Sequence, residues 1–131
     1  MVEFSPSEIE FLKKRDVARV ATVSEGGWPQ VTPVVHLFDG RFLYFIIDYG
    51  SKKEKNLRRN NRVAVVVDVY ARTPQAVAVQ GRAEFIEKGD EFERVEKMFE
   101  ERHQYYKANP VKEGSAPIVR VNPMSKSSWG V

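Results

Sequence analysis

The chain has no cysteine among its 131 residues, which removes disulfides, thiol nucleophiles and cysteine-ligated metals from consideration. Its two histidines, His36 and His103, lie far apart and have no carboxylates at metal-ligand spacing. No apolar run reaches the ~18–20 residues of a membrane-spanning helix, and no basic segment followed by an apolar one opens the chain. The expectation is a protein without membrane contact, placed by default in the cytoplasm. Also missing are G-x-G-x-x-G after a strand, G-x-x-x-x-G-K-[ST], G-x-S-x-G and H-E-x-x-H. The usual dinucleotide, P-loop, serine-hydrolase and zinc-protease signatures are thereby excluded. An enzyme made from this chain has no obvious nucleophile or acid–base group, so its hard chemistry would belong to a cofactor.

What is present is ordinary in bulk and uneven in detail. Apolar residues make up 42% and charged residues 30%, as in a soluble globular protein, and the length fits one domain spanning residues 1–131. The net charge is only +3, yet residues 50–62 hold Lys52, Lys53, Lys55, Arg58, Arg59 and Arg62 around the single acid Glu54, whereas residues 84–101 are strongly acidic. A local cationic patch on a nearly balanced protein suits a compact anionic ligand better than a long nucleic acid.

Read in order, Ser5-Pro6-Ser7-Glu8 is a capping box with proline at the first helical position, opening a short helix that ends near Lys13-Lys14-Arg15. Val17–Val23 reads as a strand closed by Glu25-Gly26-Gly27, and Pro29–Phe38 as its return. Asp39-Gly40 signals a two-residue hairpin into Arg41–Asp48. After the basic stretch come strands over 63–70 and 76–87, the second with a bulge or bend at Gly81. Asp90 is placed to cap an amphipathic helix carrying Phe92, Val95, Phe99 and Tyr106, which ends at Ala108-Asn109-Pro110. Residues 117–121 form a last strand, followed by a Ser/Lys tail with Trp129. Hairpins dominate and the long crossovers carry helices, so the fold class is mainly β with accessory helices, an antiparallel Greek-key barrel.

The basic stretch is the candidate site. Ser51 and Glu54 sit at capping-box spacing after an apolar strand, which starts a helix at Ser51. Free N–H groups and the positive dipole end there, joined by two lysines, favour an anion. A solvated basic surface helix is the competing reading. His36 reads as a packed strand residue and His103 as a cation suited to a helix end. The glutamates after residue 90 read as a solvated face, and Trp28 covers the barrel end. Trp129 calls for a neighbour or a planar ligand. Segments 42–47 and 63–67 are apolar on both faces. A lone barrel needs only its inner face apolar, and three helices cannot easily cover both strands, so a homodimer is expected.

Ala21-Thr22-Val23 running into Gly27-x-Pro29, then Val31-Thr32-Pro33-Val34, Tyr44-Phe45-Ile46, Gly50-Ser51-Lys52-Lys53-x-x-Asn56-Leu57, Val63-Ala64-Val65 and Gly81-Arg82-Ala83-Glu84 occur in that order. Together they resemble the pyridoxamine 5′-phosphate oxidase-like family of FMN-binding split barrels, over roughly Ser5 to Trp129. The resemblance implies a six-stranded split barrel and a flavin-dependent oxidoreductase that binds FMN. It places Ser51, Lys52 and Lys53 at the phosphate, with Asn56 in the same motif. Thr32, Pro33, Val34, Val35, Ile46 and Ile47 fall against the isoalloxazine ring. Gln75 and Trp129 match further cofactor contacts, the tryptophan often coming from the partner subunit of a homodimer whose cofactor sites lie at the interface. Relatives in the superfamily use a deazaflavin coenzyme, which is the alternative cofactor; a flavin carrier without turnover and a basic nucleic-acid-binding barrel are the other readings. The vitamin-B6 oxidase itself carries an arginine where this chain has Thr32 and a lysine near Leu37. It also ends in an Arg-x-His segment after its tryptophan, where this chain stops at Val131. Its pyridoxine-phosphate recognition set is absent, so this chain is not expected to be that oxidase. No catalytic side chain is assigned, and no metal site.

Overall fold

The computed structural model describes residues 2–131. Among them, four helices and six strands run in the order α1 (Pro6–Lys14), β1 (Val17–Val23), β2 (Pro29–Phe38), β3 (Leu43–Ile46), α2 (Lys52–Arg59), β4 (Arg62–Tyr70), β5 (Pro74–Ile86), α3 (Asp90–Arg102), α4 (Gln104–Ala108) and β6 (Ile118–Trp129). The strands close into one antiparallel barrel, β1-β2-β3-β6-β5-β4, with β4 returning to β1 through Arg19 opposite Val66 and Ala21 opposite Ala64. This is the expected six-stranded barrel.

Alternation sorts the side chains. Ala18, Val20, Leu43, Phe45, Val63, Val65, Val67, Val79, Val119 and Val121 point inward and form the barrel core. The outward Leu37, Tyr44 and Ile118 meet Phe92, Val95 and Phe99 of α3 in a second core. The doubly apolar β3 is therefore covered by a helix of its own chain, and needs no partner on that side. The outer face of β4 is different: Ala64 and Val66 stay partly exposed and lie outside both cores.

Each barrel end carries a helix. At one end Asn56 of α2 is buried and donates to Thr22 Oγ1 at 3.0 Å and Gln30 Oε1 at 2.6 Å, across a paired position of β1 and β2. At the other, Glu8 of α1 is 5% exposed and accepts from Lys126 Nζ and, at 2.6 Å, from Ser128 Oγ. The Ser5–Glu8 capping box forms as expected, with Ser5 Oγ accepting from the Glu8 N–H at 3.2 Å and Glu8 Oε1 accepting from the Ser5 N–H at 2.8 Å.

Five local expectations are corrected. The β2–β3 hairpin has a four-residue loop, since Phe38 pairs with Leu43; the Asp39 carboxylate accepts the N–H groups of Arg41 and Phe42 at 2.9 and 2.7 Å and holds the wider turn. The Ser/Lys tail is strand, paired with β5 as far as Trp129 opposite Ala76. Its inward Lys126 and Ser128 bond Glu8, a tertiary reason that local composition does not carry. The acidic helix breaks at His103, whose buried ring donates from Nε2 to the His36 carbonyl at 3.2 Å; the turn brings Tyr106 edge-on to Phe99, with ring centroids 5.3 Å apart. That helix is capped by Gly89 at φ 92° rather than by Asp90, which begins the helix. Trp28 does not cover the barrel end, being 75% exposed. The bend at Gly81 is present as a register shift against β6, and a Cβ there would lie 2.3 Å from the Asn122 carbonyl oxygen.

Candidate functional site

The site is built on the turn between β3 and α2. Ile46 ends β3, Ile47 is buried in the barrel core, and Gly50 takes φ 83° so that the Ser51 N–H can donate to the Asp48 carbonyl at 3.3 Å. Ser51 caps α2, its Oγ accepting from the Glu54 N–H at 3.2 Å. The reciprocal half of the box is displaced by one residue, because Glu54 accepts from the Gly50 N–H at 2.7 Å. The cap uses Ser51 Oγ as an acceptor only. Its hydroxyl proton remains available to an anion, so capping and phosphate binding are compatible.

Of the six cations of the stretch, Arg58 and Arg59 are engaged within the chain, while Lys52 and Lys53 are not paired with acids among its described residues. Arg58 is held by Glu54 at 3.0 Å and Glu87 at 3.1 Å and stacks 3.9 Å over the Phe85 ring. Arg59 donates to the Val23 carbonyl at 2.8 Å. Lys52 and Lys53 at the helix start have no acidic partner among the described residues; Lys53 Nζ donates to Thr32 Oγ1 at 2.9 Å. That contact ties residues 21 positions apart and sets the lysine over β2. The two lysines are thus unpaired where the helix dipole is positive, the Glu54 carboxylate there being engaged by Gly50 and Arg58.

The β2 and β3 residues expected at the ring, 32–35 and 46–47, form a shelf of mixed exposure. Thr32 and Pro33 of β2 are exposed, Val34 packs on the barrel core, and Val35 and Ile46 pack half-buried with Tyr106 of α4 on the second core. Burial raises the Tyr106 hydroxyl above the ordinary tyrosine value, with Tyr105 and Asp48 adding to the effect, so this ring presents a neutral phenol. Sequence reasoning placed Tyr106 only on an apolar helix face; the break at His103 that turns it toward Ile46 has no local signal. Gln30, the second anchor of Asn56, was missed for a similar reason.

The structure brings Lys53 onto Thr32, with Ser51 and Lys52 beside it at the helix start, whereas Val35 and Ile46 pack on the outer face of the sheet against the second core. Asn56 holds α2 onto β1 and β2 through both of its amide contacts. Gln75 and Trp129 lie elsewhere. Gln75 pairs with Val69 and donates to the Gly130 carbonyl at 2.9 Å, and Trp129 is 44% exposed opposite Ala76. Val69 is four positions along β4 from Val65, which sits level with Val20 and through it with Thr32, the Lys53 anchor; at ~3.3 Å per residue this separates Gln75 from that anchor by roughly 13 Å along the barrel. Chemically, the shelf can hold a phosphate and support a flat ring; it offers no acid–base pair.

The chain is similar to known proteins in sequence and in fold. Residues 7–126 match the family described as pyridoxamine 5′-phosphate oxidase. A 5a,11a-dehydrotetracycline/5a,11a-dehydrooxytetracycline reductase of Streptomyces rimosus is 30% identical over 136 residues, covering 98% of this chain and 84% of the relative. An FAD-binding protein from Mesorhizobium loti shares the fold with a TM-score of 0.77 at 22% identity, covering 95% of this chain and 92% of its own. An F420 reductase does so with a TM-score of 0.71 at 24% identity, covering 94% and 98%.

Proposed function

The chain belongs to the pyridoxamine 5′-phosphate oxidase family, and from that premise we propose that it is a flavin-dependent oxidoreductase holding FMN at the start of α2. The observation that carries the reading is the pair Lys52 and Lys53, without acidic partners at a capped helix N-terminus, with Lys53 anchored over β2 by Thr32. Ser51 and both lysines would grip the phosphate, each charged bond contributing ~1.5–3 kcal/mol. Thr32–Val35, Ile46 and Ile47 would support the ring, their main chain excluding water from one side. When bound, the flavin supplies the hydride chemistry, which is why the chain needs no nucleophile of its own. A deazaflavin coenzyme is the second reading. The structural likeness to an F420 reductase and the sequence likeness to a reductase favour keeping it. Titration of the purified protein with each cofactor separates the two: the physiological one should bind at least tenfold tighter, and failure of both to bind would end the proposal. Bound cofactor that no electron donor can reduce would favour a carrier.

We also propose that a second copy of the chain completes the site. Gln75 and Trp129 are displaced along the barrel from Lys53, and the outer sheet face, with Val31 66% exposed, Ala64 and Val66, has no covering element among the described residues. A two-fold partner would cover this face and bring its own Gln75 and Trp129 toward the shelf. Sedimentation at micromolar concentration should give a dimer; a monomer with full cofactor affinity would contradict it. Pyridoxamine-phosphate oxidation is not proposed, since Thr32 and Leu37 stand where that enzyme's cations would be required. The in-chain engagement of Arg58 and Arg59 also leaves no continuous basic track for nucleic acid.

A further inference from the structure

A cleft of about 410 Å3 lies between the end of α1, the end of β2 and α3. None of the residues assigned to the cofactor lines it. Leu12, Phe38 and Met98 make it largely apolar, and His36, Arg15 and Lys13 supply nitrogen. Four buried side-chain nitrogens among the described residues have no hydrogen-bond partner, and three belong here: Arg15 Nε and both ring nitrogens of His36. His36 is 2% exposed. A buried donor without a partner costs ~1–3 kcal/mol, so Arg15 Nε and the one protonated ring nitrogen of a neutral His36 call for an acceptor.

The neighbouring charges do not supply one. The Asp39 carboxylate already accepts from the Arg41 and Phe42 N–H groups and from the Tyr44 hydroxyl at 3.2 Å. Arg102 is paired with Asp16 at 3.1 Å. Lys13 and Arg15 have no acidic partner among the described residues, and Glu101 stands exposed at the edge. Burial pushes the His36 ring down to about 4, opposed by the nearby Arg15 main chain, which makes no well-formed bond to it, and helped by His103 and Arg102, so at neutral pH it is uncharged, one nitrogen donating and the other accepting.

We propose that this cleft binds a small organic carboxylate, whose oxygens accept from Arg15 Nε and the His36 ring while its apolar body rests on Leu12, Phe38 and Met98. The site is independent of the flavin reading and stands or falls without it.

Benzoate is a suitable probe, titrated into the full chain at constant ionic strength while the ring 15N resonances of His36 and the Met98 methyl resonance are followed by NMR. Saturable shifts of both are expected, with benzyl alcohol at least tenfold weaker because it lacks the charge. Arg15→Leu should weaken benzoate at least tenfold, the fold-change of one lost charged hydrogen bond. Lys13→Ala, at an exposed position, should weaken it about threefold, and keeps the test decisive if Arg15→Leu does not fold. Shifts that fail to saturate, that chloride reproduces, or that benzyl alcohol matches would overturn the proposal and leave a cleft that holds water only.

Discussion

Lys53→Ala is expected to weaken FMN binding between tenfold and a hundredfold while leaving riboflavin, which lacks the phosphate, within about twofold of the unchanged protein. The range follows from one charge-assisted bond of ~1.5–3 kcal/mol. Lys53 has no carboxylate partner and is positioned by a neutral hydroxyl, Thr32, at 2.9 Å. Its removal therefore strands no buried acid and opens no core cavity, and the effect should appear in binding rather than in stability. Thr32→Val separates position from charge: it removes only the anchor and should cost severalfold. Equal losses of FMN and riboflavin in Lys53→Ala would remove this lysine from the phosphate role. Fluorescence titration of the two ligands measures both outcomes.

The largest stability effect is expected far from the flavin shelf, in Lys126→Met. Glu8 is buried at the α1 end of the barrel, where burial alone would raise its carboxyl. The bonds from Lys126, Ser128 and the Ser5 main chain outweigh that and hold it down at about 2. Removing the lysine leaves a buried carboxylate without its counter-charge, which costs about 3 kcal/mol at pH 7, the lower end for a broken buried pair because the Lys126 side chain is 27% exposed. In urea unfolding the midpoint should fall accordingly. Glu8→Gln in the same background should recover much of the loss, since an amide keeps bonds to Ser5 and Ser128 without the charge.

The pH dependence carries the same sign. A carboxyl whose folded value lies below its unfolded value of 4.5 contributes its full stability above pH 4.5, and loses it as pH falls toward about 2. The unchanged protein should lose about 3 kcal/mol across that window from this group, and Lys126→Met should lose clearly less. Equal acid sensitivity of the two proteins would show that Lys126 does not set the Glu8 carboxyl.

Much of this structure is legible in the sequence wherever the cause is local. Ser51 starts α2 because its hydroxyl satisfies a nearby N–H, and Ser5 starts α1 in the same way. The strands over 63–70 and 76–87 and the bulge at Gly81 are read from neighbours in the chain. What fails has distant causes. Residues 122–129 have the composition of a fraying tail, yet they are strand because β5 pairs with them and Glu8, 118 positions away, holds Lys126. The helix break at His103 depends on a carbonyl at His36, and the apolar second face of β3 is met by α3 rather than by another subunit. At the candidate site, the residue types at the start of α2 are visible in sequence. The division of the cations into engaged arginines and available lysines is not, because Glu87 and Val23 are brought to α2 only by the fold.

The central claim is that the start of α2 grips the phosphate of a flavin-type cofactor. The most direct measurement is an equilibrium titration of the purified, unchanged protein with FMN and with riboflavin at the same ionic strength, extended to the deazaflavin coenzyme and its phosphate-free core. The account gives one cofactor per subunit, at least tenfold tighter with the phosphate than without it, and a preference that shrinks as salt is added. Binding of neither pair, or binding that ignores the phosphate, would contradict it.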